Sequence, residues 1–268
     1  ENIDIIDVTE EGWQGGKKVK LRASSGIEYT NETPMPQAVG GYEAGTTFNN
    51  VEYKDLIDGL LYPYQYPSIT AFSISGQTTT LECGVAVSGA NRTFTWSITN
   101  PDNITPNSIT IKDHTNGITI GANLANDGSE VLSFTDVVKT VTAQSNVWRI
   151  EAYNTKSQLI TRNFTVVWYD PFYYGVGDKN LTVAQVQQLT KNVTAKSNKT
   201  FSFSPNNQVY YFAYPQSYGQ LVSILDANGF EIKNDFTIRS ETFTQNGTYF
   251  RNTVDVPYYV YEFNNLTT

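Results

Sequence analysis

From Ser68 onward the hydrophobic positions recur with a period of two. Phe72 and Ile74 alternate with serines, Leu81, Cys83, Val85 and Val87 follow, and Phe94, Trp96 and Ile98 come next. The pattern continues through Ile109 and Ile111, Ile118 and Ile120, Leu132 and Phe134, then Trp148, Ile150 and Ala152, and closes on Phe164, Val166 and Trp168. Successive side chains of a strand point to opposite faces, so each set marks one apolar face backed by a polar one. Turn signals such as "SGAN", "NPDN", "HTNG" and "NDGS" separate the sets. About eight short strands so punctuated predict an immunoglobulin-like antiparallel β-sandwich over residues 67–169.

Residues 1–66 read differently. Short strand-like pieces such as Lys17 to Arg22 lie between Gly- and Pro-rich stretches, and then "NNVEYKDLIDGLLYPY" places Val51, Leu56, Ile57, Leu60 and Leu61 on a helical stripe. Asn49 or Asn50 is available as N-cap and Pro63 as terminator, which predicts a connector or stalk with one short helix at about 50–61.

Past Gly177 the pattern mixes. "LTVAQVQQLTKNV" carries a capping box, with Thr182 as N-cap, Gln185 three residues on, and Val183, Val186 and Leu189 as apolar positions. Strands are expected at Thr200 to Ser204, Gln208 to Tyr214, Leu221 to Leu225, Phe236 to Phe243 and Val256 to Phe263, so residues 170–268 form a β-rich α+β domain. The whole chain is thus expected to be mainly β.

Between sandwich and C-terminal domain lies "NFTVVWYDPFYYGVG". Phe164, Val166 and Trp168 belong to the inner face, leaving Val167 and Tyr169 to point outward, toward something beyond the sandwich. Asp170-Pro171 stops the strand, because Pro has no N–H for a ladder and the residue before it favours an extended turn. Phe172 then opens the next domain, and the stretch reads as a joint. Farther on, "VYYFAY" and "YYVYEF" have apolar or aromatic residues on both faces, among them Tyr210, Tyr211, Tyr259 and Tyr261. Such strands must be covered on both sides, within one domain or by another subunit. Val167, Tyr169, Phe172, Tyr210, Tyr211, Tyr259 and Tyr261 are therefore candidates for domain or subunit packing.

The segments "VGGYEAGTTF", "LLYPYQYP", "ANLANDGSEVL", "FYYGVG", "YYFAYPQSYGQLVSILDANGFEI" and "YYVYEFNNLTT", in that order, resemble tail-fibre and tail-appendage proteins of tailed bacteriophages, those of gut anaerobes especially. The resemblance covers residues 39–268. It implies a non-enzymatic structural or host-attachment role in the virion, commonly as a homotrimer, with other tail proteins and a host surface polysaccharide or protein as partners. It supplies no catalytic motif to carry onto these residues. The alternative is a bacterial cell-surface carbohydrate-binding or adhesion module working as a monomer.

Composition narrows the chemistry. The charged fraction is 16%, below the roughly 25% usual for soluble domains, and 18 Tyr are present. The net charge of −8, with no basic run longer than Lys17-Lys18, argues against nucleic acid and anionic membranes as partners. A single His, His114, and a single Cys, Cys83, exclude a Cys–His pair and a His/Cys zinc site, and Cys83 reads as a small core residue. No apolar run reaches the roughly 18 residues of a membrane span. The chain opens on Glu1 without a signal-peptide pattern, which reads as a fragment or a processed chain. Nine Asn-x-Ser/Thr sequons occur against about five expected by chance, and Asn163 lies in a predicted strand, so they do not establish a glycoprotein.

"NDGSE", Asn126 to Glu130, offers oxygen ligands without the spacing of an EF-hand and reads as a solvated turn. Asp226 and Glu231 could be imagined as a glycosidase couple, but among 26 acids some such pair is inevitable. No cofactor is expected. The tyrosines are the most informative feature, since Tyr supplies rigid contact area with one hydroxyl. Tyr218 and Tyr249, beside loop residues, are the candidate ligand contacts; core packing is the alternative for both.

Overall fold

The computed structural model describes residues 6–7, 19–20, 28–30, 33–202, 208–244, 250–251 and 254–264. The protein is mainly β and divides into two compact units, residues 1–66 and 67–268.

The first unit holds two short antiparallel pairs, β1 (Ile6–Asp7) with β2 (Val19–Lys20) and β3 (Glu28–Tyr29) with β4 (Val51–Glu52), followed by helix α1 (Tyr53–Leu61). The helix begins later than the sequence suggests, with Glu52 at the N-cap and no side-chain cap. Asn50 is diverted: it has a positive φ of 52° and its N–H donates to Thr30 Oγ1, while Val51 joins the β-pair. The stripe is only half used, Leu56 and Leu60 being half-buried and Ile57 and Leu61 exposed. Among the described residues of this unit Phe48 is the buried ring, with Tyr42 edge-on at 4.8 Å and Tyr29 at 5.8 Å. Beyond β2, the expected strand at Lys17 to Arg22 lies outside the described residues.

The second unit opens with the sandwich. Its strands are β5 (Ser68–Ile74), β6 (Thr80–Glu82), β7 (Ala86–Val87), β8 (Arg92–Thr99), β9 (Ile109–Asp113), β10 (Ile118–Leu124), β11 (Ser129–Leu132), β12 (Val137–Val138), β13 (Gln144–Tyr153) and β14 (Leu159–Tyr169). One sheet has the order β10-β9-β13-β14-β6, the other β11-β8-β5, with β12 paired to β7. This is the immunoglobulin arrangement. Between the sheets pack Phe72, Ile74, Phe94, Trp96, Ile109, Ile111, Trp148, Ile150, Val166 and Trp168.

Two local readings are corrected. The alternation from Leu81 to Val87 is two strands of different sheets. Gly84, at φ +90°, breaks it, so β6 pairs parallel with β14 and β7 pairs with β12. A side chain at position 84 would be strained there, and its Cβ would come within 3.2 Å of the Arg251 backbone nitrogen. Ile118 is not a core residue but 55% exposed, because β10 is an edge strand whose register against β9 slips twice, between Thr119 and Gly121 and between Gly121 and Leu124.

The C-terminal part is one five-stranded antiparallel sheet of order β16-β15-β17-β19-β18, made of β15 (Phe172–Gly177), β16 (Thr190–Asn192), β17 (Val209–Pro215), β18 (Phe236–Phe243) and β19 (Val256–Phe263). Helix α2 (Val183–Val186) carries the expected capping box, with the Thr182 side chain on the Gln185 N–H and the Gln185 side chain on the Thr182 N–H, and buries Val186. Leu221 to Leu225 is not a strand. It forms an irregular hairpin whose only bridge is Leu225 to Glu231, because Asp226 and Glu231 take the backbone N–H groups that a ladder would use. Thr200 to Ser202 is not a strand either, and the rest of that expected strand lies outside the described residues.

Candidate functional site

The two-faced strands β17 and β19 are the central strands of the C-terminal sheet, and this chain itself covers both faces. On one side Tyr211 and Ala213 pack with Tyr173, Val186, Tyr258 and Val260. On the other, Tyr214 and Tyr261 pack with Phe172, with Phe201, Phe236 and Tyr259 partly buried beside them. Tyr211 and Tyr261 are fully buried; Tyr210 and Tyr259 are half-buried, Tyr210 stacking on Phe263 at 5.6 Å. These residues consequently give no reason to invoke a second subunit.

The joint is built from polar pairs. Asp170, 1% exposed, receives Arg251 Nε at 2.8 Å and Arg251 Nη2, and its own N–H donates to Thr142 Oγ1. Lys191 Nζ reaches Glu82 Oε2 at 2.8 Å, and the Tyr258 hydroxyl donates to the Pro171 carbonyl at 2.6 Å. Phe172 is buried just past the turn, while Val167 and Tyr169 are half-buried in the register with β6. Cys83 is fully buried at this joint, and burial pushes its thiol pKa up, away from nucleophilic use.

Tyr218 is no open ligand contact. It is half-buried, its ring joins the Tyr214–Tyr261 cluster and its hydroxyl hydrogen-bonds with Thr142 of the sandwich at 3.1 Å. Burial raises its pKa. Tyr249 lies outside the described residues.

The carboxylate couple is structural too. Asp226 Oδ1 accepts from the Phe230 and Asn228 N–H groups, both at 2.9 Å, and Glu231 Oε1 accepts from those of Ile224 and Lys233. These bonds hold both carboxyls below their usual pKa, the opposite direction from a general acid. In the Asn126 to Glu130 turn, Asn126 Oδ1 accepts from the Trp96 indole and Asp127 Oδ1 from the Ser129 N–H. Among the described residues no group of three metal-ligating side chains occurs, and no helix is long and apolar enough to cross a membrane.

A concave site that the alternation does not announce lies at the open side of the sandwich. A cleft of about 440 Å³ runs between the β9–β10 hairpin and the strap 133–139, within the range of small-ligand sites. Asp113, Asn116, Thr119, Ser133 and Asp136 give it polar walls, and Ile118, Ile120, Phe134 and Val137 apolar ones. Asp113 is 5% exposed and accepts from the Asn116 N–H, Asn116 Nδ2 and Asn146 Nδ2. Trp148 sits directly opposite Asp113 in the β9–β13 register, its ring 5.6 Å from that of Phe134. The only sequence signal is an Asp at the end of the "ITIKD" strand followed by "HTNG", which reads as a turn and nothing more.

No family model and no curated protein matches the chain.

Proposed function

We propose that this chain is a non-enzymatic structural component of a phage tail appendage, contributing to host-surface attachment or to assembly of the adapter that carries it. The resemblance over residues 39–268 motivates the reading. The observation that carries it is the joint: sandwich and C-terminal sheet are locked by the Asp170–Arg251 and Glu82–Lys191 pairs, a construction suited to transmitting position along an appendage. Ionisable groups that could have served chemistry, Asp226, Glu231 and Cys83, are occupied as turn acceptors or buried.

A monomeric carbohydrate-binding module on a bacterial surface is the second reading, favoured by the sandwich cleft. Light scattering on the purified chain separates them: three chains weigh about 90 kDa and one about 30 kDa. Peptide mass spectrometry and cryo-EM of purified particles test the virion assignment directly. A strictly monomeric chain absent from particles would leave the appendage reading without support.

A further inference from the structure

We propose that Phe250 and Arg251 form a strained clasp that holds the joint between the sandwich and the C-terminal sheet closed. The clasp releases before either fold unfolds, and its release frees the joint to bend at Asp170–Pro171. This device is independent of where the chain resides.

Three observations carry it. First, the backbone of the clasp is strained. Phe250 has a φ of 60° and Arg251 a φ of 57°, in the left-handed region that a Cβ makes costly. Of the other non-glycine residues with positive φ among those described, six are Asn, which tolerates this region, and none adjoins another. Left-handed Phe and Arg persist only where their surroundings force them, and such residues cluster at clamps and switches.

Second, part of what forces the clasp lies across the joint. Phe250 is fully buried on its own side, with the Tyr258 ring at 5.5 Å and the Tyr173 ring at 6.5 Å. Arg251 reaches the other side. Its N–H donates to the Cys83 carbonyl at 3.1 Å, and its guanidinium holds both carboxylate oxygens of Asp170. Gly84, which has no Cβ, lets the two backbones approach. Asp170 directly follows β14 and precedes Pro171, so the clasp grips the pivot itself.

Third, both folds are complete without it. β18 and β19 pair at eight positions, from Phe236 with Phe263 to Phe243 with Val256, and the sandwich core is closed between its own sheets. Desolvation offsets most of what a buried ion pair gains, so the Arg251–Asp170 pair fixes geometry more than it adds stability. Left-handed strain works further against the closed form. The contacts Lys191–Glu82 and Tyr218–Thr142 also cross the joint, but from an exposed and a half-buried side chain that water can satisfy instead. Release therefore costs less than unfolding either fold.

Cys83 supplies the test. It is the single cysteine, it is fully buried, and its thiol lies against both Asp170 and Arg251. Labelling of the native protein with an aromatic disulfide reagent should modify Cys83 at least about a hundredfold faster than global unfolding allows. At low urea that rate should hardly depend on denaturant, as befits a local opening. Arg251→Ala should speed labelling at least about tenfold. Arg251→Gly loses the same guanidinium but relieves the left-handed strain, so it should label about threefold more slowly than Arg251→Ala. Residual dipolar couplings read the joint. One alignment tensor should fit the amides of both folds in the wild type, whereas Arg251→Ala should need two while its core amides stay protected from exchange. The proposal is overturned if Cys83 reacts only through global unfolding, or if Arg251→Gly labels as fast as Arg251→Ala. It is equally overturned if one tensor still fits Arg251→Ala, or if that variant unfolds either fold.

Discussion

Arg251 grips Asp170 with two nitrogens, Nε on Oδ1 at 2.8 Å and Nη2 on Oδ2, across 81 residues of sequence. The Asp-Pro step that ends β14 therefore does more than stop a strand; it places a buried carboxylate where the C-terminal domain returns. Breaking one partner of a buried pair leaves the other charge unpaired, which costs about 3–5 kcal/mol. Arg251→Met and Asp170→Asn should each destabilise the second unit by about that amount in urea unfolding. The double change Asp170→Leu with Arg251→Met should cost clearly less than the sum of the two single losses, because no charge is then stranded.

The Tyr261 hydroxyl accepts from the Tyr214 hydroxyl at 3.2 Å and from the Leu221 N–H at 3.0 Å. Tyr261→Phe strands both donors and should cost about 1–3 kcal/mol. Tyr214→Phe removes one donor and leaves the Leu221 bond, so it should cost less. Denaturant midpoints of the two variants check the order. Tyr261→Asp puts a charge into a fully buried position and should unfold the domain whether the chain is monomeric or trimeric, so it reports on folding and not on assembly.

The sandwich was legible because its strands alternate apolar and polar residues, and period two fixes the face whatever the topology. The helix at Thr182 was legible because its capping box is local, closed between residues three apart. What escaped was non-local. Nothing near Asp170 names Arg251, and nothing near Asp113 names Asn146, 33 residues on. The doubly apolar strands β17 and β19 announced that both faces were covered, but a sequence pattern does not say by what. Their cover comes from within the chain, in part from residues such as Phe172, Phe201 and Phe236 on flanking strands and irregular segments that carry no period. Leu221 to Leu225 misled for a related reason: its β-propensity lost to the acceptors Asp226 and Glu231, which claim its neighbours' N–H groups.

The strap that walls the cleft is pinned at Gly89. Its carbonyl accepts from the Phe134 N–H at 2.9 Å, its own N–H donates to Asp136 Oδ1 at 2.8 Å, and a Cβ there would lie 1.8 Å from the Phe134 carbonyl oxygen. No rotamer relieves a clash with backbone. Gly89→Ala should therefore displace residues 133–139 and destabilise the sandwich by more than about 2 kcal/mol. Thermal unfolding measures the loss, and hydrogen exchange should place the lost protection at Phe134.

The hairpin at Asp226 should respond to acid in a way that can be worked out from its bonds. The Phe230 and Asn228 N–H groups hold the Asp226 carboxyl below its ordinary pKa, and those of Ile224 and Lys233 do the same for Glu231. A carboxyl depressed in the folded state binds fewer protons there than in the open one. The contribution of the two carboxyls to the hairpin is therefore complete above about pH 5, where the open form is largely ionised, and is lost progressively as pH falls through the lower folded values. Neutral and mildly acidic conditions should leave the turn intact. The Phe230 and Ile224 amides should keep their hydrogen-exchange protection down to about pH 5 and lose it progressively below. Asp226→Asn keeps an oxygen that can accept the same N–H bonds but cannot titrate, so it should weaken protection at Phe230 at neutral pH and flatten its acid dependence. Asp226→Ala removes the acceptor and should abolish protection there at every pH. Equal acid sensitivity in wild type and Asp226→Asn would show that some other group governs the turn.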